Sequence, residues 1–332
     1  MTAPAAAGRG QTPFLCTDRQ NSSRQHRFGL RNCTRDLKFF NNHGVRVSRF
    51  ELDKWDDGKL VVNHAFANLL RRQHWTTFAA IWSHTAEATV AKKLRTDRIT
   101  LRFTLDDAGH ERAFYIKRHG RSSLKEYLKP LFSLRLPILG ARNEWNALLA
   151  FHEAELPTMT PVAFGQHGAN SFLITEALEN CTKLSELETT KPKGSSSVNA
   201  IHAEDASPDR RSLVERVART TQRMHNAGLH HQDYYLGHLL LPNPPATCES
   251  LSDRVYVIDL GRVRKQNPLS QRWIVKDLAQ LNYSAHGASL TERVRFLRQY
   301  LGHKIGPADK KLIASIATKT VAISRHSKKN SL

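Results

Sequence analysis

Apolar and polar residues alternate, in part, over RITLRFTL (98–105), and RAFYIKR (112–118) follows after DDAGHE. A period of two on either side of an Asp/Gly-containing turn predicts a β-hairpin over 98–118. TPVAFGQHGANSFLITEAL, ending at Leu178, predicts two more short strands about a Gly-containing turn. Helical spacing dominates elsewhere. AFANLLRRQHWTTFAAIW predicts one or two short helices ahead of the hairpin. After Gly140, Glu144, Trp145, Ala147, Leu148, Phe151 and His152 follow one helix. DRRSLVERVARTTQRMHNAG predicts another, with Asp209 as N-cap, Gly228 just past its end, and Leu213, Val214, Val217, Thr221 and Met224 on one face. RWIVKDLAQLNYSA and LTERVRFLRQYLG add two more.

Between the helix ending near Gly228 and the next lies LHHQDYYLGHLLL (229–241), a short polar loop feeding a buried strand. VYVIDLGR then ends a second apolar strand at Asp259, before Gly261. Two strands joined by a turn bring Asp233 and Asp259 close. One carboxylate then orients a hydroxyl and the other holds a metal, the division of labour of kinase-type phosphoryl transfer. Upstream, Lys117 sits on a strand and Glu144 in the first turn of the next helix. An exposed lysine and a first-turn glutamate are ordinary features. In this order, however, all four residues describe an α+β, two-lobed, protein-kinase-like fold. It has a small antiparallel, β-rich N-lobe and a mainly helical C-lobe.

The divisions expected are a disordered basic tail (1–46), an accessory segment (47–94), the N-lobe with hinge (95–178), a flexible Pro/Gly/Ser-rich insertion (179–208), the C-lobe (209–320) and a basic tail (321–332). Thr175–Leu178 form the hinge, where Glu176 and Leu178 would offer backbone groups to an adenine ring.

Charge adds a second constraint. Lysine and arginine exceed acids by a formal net charge of +20, with 40% hydrophobic residues. Such a chain is drawn to polyanions. No motif with RNP-like aromatics or zinc-finger spacing supports nucleic acid. Cys16, Cys33, Cys181 and Cys248 are scattered and form no CxxC pair. No apolar run reaches about 18 residues and no secretory h-region opens the chain. The expected place is the cytosol.

The blocks MHNAGLHHQDYYLGHLLL, YVIDLGRVR, RWIVKDLAQLNYSA, LRLPILGARNEWNAL and PVAFGQHGANSFLITEAL resemble, in order, the lipopolysaccharide core kinase family, the heptose and Kdo kinases. The resemblance covers about residues 95–305. It implies ATP and Mg²⁺ as cofactors and a sugar hydroxyl of the lipopolysaccharide inner core, or a lipid-linked sugar, as acceptor. By the same resemblance, Asp233 is the catalytic aspartate, Lys117 contacts the α/β-phosphates with Glu144 as its partner, and Asp259 binds metal in a DLG sequence. His238 stands at the second metal position, although imidazole suits Mg²⁺ less well than oxygen. His231 opens the HxD motif and packs the loop. Arg262, Arg264, Lys265 and Arg272 would receive the acceptor's carboxylates and phosphates. An anionic inner-leaflet surface would attract the enzyme from the cytoplasmic side; no protein partner is indicated.

Two departures stand out. Gln232 replaces the arginine common in HRD motifs, which removes control by activation-loop phosphorylation through that arginine. No GxGxxG precedes Lys117, and SHTAEATVAKKLRTDR has no glycine. Two readings compete: a kinase with another small-molecule or protein acceptor, and a catalytically weak basic protein that binds nucleic acid or anionic membrane.

Overall fold

The computed structural model describes residues 50–84, 89–95, 98–120, 140–189, 210–243 and 254–330. The first 46 residues, Asp209, most of the 179–208 insertion, and Cys16, Cys33 and Cys248 lie outside them.

A seven-stranded antiparallel sheet forms the first lobe. Its strands are β1 (Leu52–Trp55), β2 (Leu60–Asn63), β3 (Thr89–Arg95), β4 (Arg98–Asp106), β5 (Glu111–His119), β6 (Pro161–His167) and β7 (Asn170–Glu176), in spatial order β1-β2-β6-β7-β5-β4-β3. The predicted hairpin is β4–β5, with Phe103 opposite Phe114 and Thr100 opposite Lys117. Leu101, Phe103 and Leu105 point inward while Arg102 and Thr104 face solvent, as a half-buried strand requires. Helices α1 (Ala67–Arg72) and α2 (Phe78–Ser83) cover the inner face, with Phe66, Leu70, Trp75, Phe78 and Ile81 in the shared core. Within the segment 47–94, expected as accessory, β1 and β2 extend one edge of this sheet and β3 the other.

Helix α3 (Arg142–Glu153) packs Trp145, Leu148 and Phe151 beneath the sheet. Its start is anchored on β7, where the Ala141 N–H donates to Ser171 Oγ at 3.0 Å. Gly140 permits that approach: its φ is +74°, and a Cβ there would lie 2.6 Å from Ser171 Oγ.

The second lobe holds α4 (Leu184–Thr189), α5 (Arg210–Asn226), α6 (Gln271–Ser284), α7 (Leu290–Leu301) and α8 (Lys310–Asn330). A small sheet joins β11 (Tyr256–Val257), β10 (Leu239–Pro242) and β8 (Cys181–Lys183), and β9 (Leu229–His230) pairs with β12 (Arg264–Lys265); all of these strands except β8 lie between α5 and α6 along the chain. One apolar cluster joins the lobes, running from Trp145 and Leu173 through Val217 and Met224 to Tyr234, Leu239 and Val257. Residues 321–330 of the expected basic tail form the last part of α8. Leu312, Ile316 and Ile323 pack its inner face against Leu278 and Ala279 of α6. Apolar contact every three or four residues carries the helix through its lysines and arginines.

Candidate active site

The site assembles where β9 passes into β10 and where β11 ends. β10 and β11 pair antiparallel, Leu239 opposite Val257, so the residues before one and after the other meet. Asp233, His238 and Asp259 each present a ligand atom, all within 4.8 Å of one another. Asp259 holds a left-handed backbone, φ +59°. That places one carboxylate oxygen 3.6 Å from Lys117 Nζ and the other 3.7 Å from His238 Nε2.

Lys117 reaches in from β5 and donates to Glu144 Oε1 at 2.6 Å. Glu144 is buried in the first turn of α3. Burial disfavours the Lys117 charge, but Glu144 and Asp259 outweigh it and hold the ammonium above its ordinary value. Burial likewise raises the Asp259 carboxyl, and Lys117, His238 and His231 reverse this, leaving it below the ordinary carboxylate range. Both groups are therefore charged at neutral pH.

His238 Nδ1 lies 2.7 Å from the Asp233 carbonyl. A carbonyl only accepts, so Nδ1 donates there, and Nε2 is the ring nitrogen that faces Asp259. His231 Nε2 lies 3.0 Å from the Ile258 carbonyl, tying the loop that carries Asp233 to the residues just before Asp259.

Three residues that the sequence reading did not single out hold this arrangement from beneath. Asp277 of α6 accepts from the backbone N–H of His231 at 2.7 Å and of Gln232 at 2.8 Å, with His225 Nε2 at 3.4 Å. Gln280, one turn on, accepts from Tyr234 N and donates to the Gln232 carbonyl. Asn143 donates to the carbonyls of Gly261 and Val263, at 2.7 and 3.0 Å. A legible sign existed for Asp277: it lies three residues after Ile274 and four before Leu281, on the apolar face of its helix. A carboxylate buried there must have donors.

The expected acceptor-side cations divide. Arg262 comes within 3.9 Å of Asp233. Arg264 and Lys265 lie on β12 opposite His230 and Leu229. Arg272 lies over the Trp273 ring, which stacks on His230. At the hinge, the Glu176 carboxylate is taken by Arg112 at 2.6 Å and Leu178 packs against the core, so these two offer a nucleotide only backbone groups.

A lysine clamped by a glutamate, facing a trio of two carboxylates and an imidazole, is equipped to hold a polyphosphate and its cation. The lipopolysaccharide kinase (Kdo/WaaP) family model matches residues 80–300, which contain every member of this constellation. The chain belongs to that family. It is 38% identical over 213 residues to the lipopolysaccharide core heptose(I) kinase WaaP of Pseudomonas aeruginosa, covering 61% of this chain and 73% of that protein. With the protein of the same description from Escherichia coli strain K12 it shares 33% over 253 residues, 73% of this chain and 90% of the relative. Among solved structures, WaaP in complex with acyl carrier protein matches with a TM-score of 0.57 and 29% identity, over 79% of this chain and 98% of that one. As a lipopolysaccharide kinase the chain is a phosphotransferase acting on a sugar hydroxyl, with ATP as the donor its family implies and a divalent metal as the usual helper. No helix among the described residues is long and apolar enough to cross a membrane.

Proposed function

We propose that the chain transfers the γ-phosphate of ATP to a heptose hydroxyl of the lipopolysaccharide inner core, with Mg²⁺ as its metal. The observation that carries this reading is Lys117, held between Glu144 and Asp259 and facing the Asp233–His238–Asp259 trio. Lys117 orients the phosphates, and Asp233 accepts the acceptor proton as that oxygen bonds to phosphorus and the bond to ADP breaks. The residues present fit a divalent cation: Asp259 supplies carboxylate oxygen and His238 an imidazole nitrogen with its proton on the far side. When bound, that cation neutralises phosphate charge. The hinge backbone at Glu176 and Leu178 would receive the adenine, and Arg262, with Arg264, Lys265 and Arg272 beyond it, would draw the anionic acceptor toward Asp233.

The charge of +20 favours work at the cytoplasmic face of the inner membrane, against anionic lipid. It would also suit an acidic protein partner; the solved relative is a complex with acyl carrier protein. The deciding experiment is phosphate transfer from ATP with Mg²⁺ to purified lipopolysaccharide core, by wild type and by Asp233→Ala. Acceptor-dependent transfer that disappears in the variant is expected. Transfer only to an unrelated acceptor moves the substrate, and failure to bind nucleotide defeats the reading.

A further inference from the structure

Three rings run outward from the catalytic loop. Tyr235 follows Asp233 by two residues, and its ring meets His238 at 6.4 Å and Tyr283 at 6.5 Å, edge to face both times. Tyr283, near the end of α6, meets His286 in the same manner at 5.4 Å. Phosphoryl transfer as described above uses none of the three.

Core packing is the ordinary use of such rings, and the neighbours show what it looks like. Tyr234 and Tyr300 are buried members of apolar clusters. Tyr235 and Tyr283 are only half-buried and stand outside the described clusters, and His286 is exposed. The Tyr235 ring is nevertheless fixed. Its hydroxyl accepts from Gln280 Nε2 at 3.2 Å, the same amide that holds the Gln232 carbonyl at 3.0 Å. Arg262 stands 3.9 Å from the Asp233 carboxylate, two residues before Tyr235 in the same loop, so guanidinium and carboxylate lie together where that loop carries its ring.

A pyranose has faces of C–H groups and a rim of hydroxyls. An immobile aromatic ring beside a general base offers the C–H face a flat apolar support and leaves a rim hydroxyl toward the base. A guanidinium at the edge suits a carboxylate or phosphate on a neighbouring unit. We propose that Tyr235, Tyr283 and His286 form the shelf on which the acceptor sugar ring lies, with Arg262 at its rim for an anionic substituent. This rests on the reading of the chain as a core sugar kinase and assigns the acceptor side of that site.

The test uses the full chain, ATP and a deacylated, dephosphorylated core oligosaccharide, so that lipid contributes nothing. Tyr283→Ala raises the acceptor KM about tenfold, because one ring face is lost, and leaves the KM for ATP in place. Tyr283→Phe stays within about twofold of wild type, since the ring and not its hydroxyl bears the sugar. His286→Ala raises the acceptor KM roughly threefold, and its exposed position keeps this arm informative if Tyr283→Ala does not fold. An unchanged acceptor KM in His286→Ala and in folded Tyr283→Ala overturns the shelf. So does an equal rise in both KM values, which marks rings that merely prop the loop. Wild type that phosphorylates only some other class of acceptor overturns the parent reading, and the shelf with it.

Discussion

The two sides of the catalytic loop use the same side chain in opposite ways. Below it, the Asp277 side chain is 0% exposed and its oxygens are occupied by backbone N–H groups and His225. Above it, Asp259 is 52% and Asp233 29% exposed, and their nearest charged neighbours stand 3.6 to 3.9 Å away. The lower carboxylate is buried with both oxygens engaged and serves architecture. The upper two keep capacity open for a cation, a phosphate or a hydroxyl proton. Burial and saturation, more than residue type, separate support from chemistry.

That contrast predicts a split between activity and stability. Asp233→Asn keeps the size of the side chain but not its basicity. Transfer should fall roughly a thousandfold with an unchanged melting temperature; a folded variant retaining a tenth of the rate would remove Asp233 from its role. Asp277→Ala strips the buried N–H groups of their acceptor. It should cost about 3 kcal/mol and lower Tm by roughly 6–12 °C, with any loss of rate following the loss of fold. Calorimetry showing a wild-type Tm would place the loop's support elsewhere. Lys117→Met belongs with the upper group: on the order of a hundredfold loss in kcat/KM for ATP, read in steady-state kinetics at saturating acceptor.

A smaller effect probes the lower side by pH. Burial drives the His230 imidazole from 6.5 down to about 4, with Asp277 only partly opposing. Below pH 6.5 the unfolded chain takes up a proton that the folded chain refuses, so folding is weakened progressively from 6.5 toward 4. His230→Phe keeps a ring against Trp273, whose stack with His230 has a 4.5 Å centroid separation, and should flatten the Tm profile across that window. Parallel profiles for the two proteins would show that another group titrates.

Much of this was readable beforehand, for physical reasons. The β4–β5 hairpin announces itself through its alternation, and α3 and α5 through their spacing. Lys117, Glu144, Asp233 and Asp259 could be ordered along the chain, and β10 and β11 bring the last two together. Less legible were features that depend on partners distant in sequence. Asp277 meets the loop 45 and 46 residues away, and nothing local in VKDLAQ reports that. Among the described residues the edge strand β1 pairs only with β2, and β2 joins the sheet through β6, about a hundred residues on. In α8, the run SRHSKK hid a helix because its composition reads as solvated, while the apolar positions that hold the helix down lie mostly before it.

Gln232 donates from its side-chain amide to the Arg262 carbonyl at 3.0 Å, joining the catalytic loop to the segment that follows Asp259. Where a kinase brings an arginine to this place, the same two segments are coupled through an added phosphate, and a second enzyme sets the clock. A neutral amide has no modification to wait for and little sensitivity to salt. A kinase wired in this way offers no arginine through which a phosphate on the following segment could switch the coupling on or off.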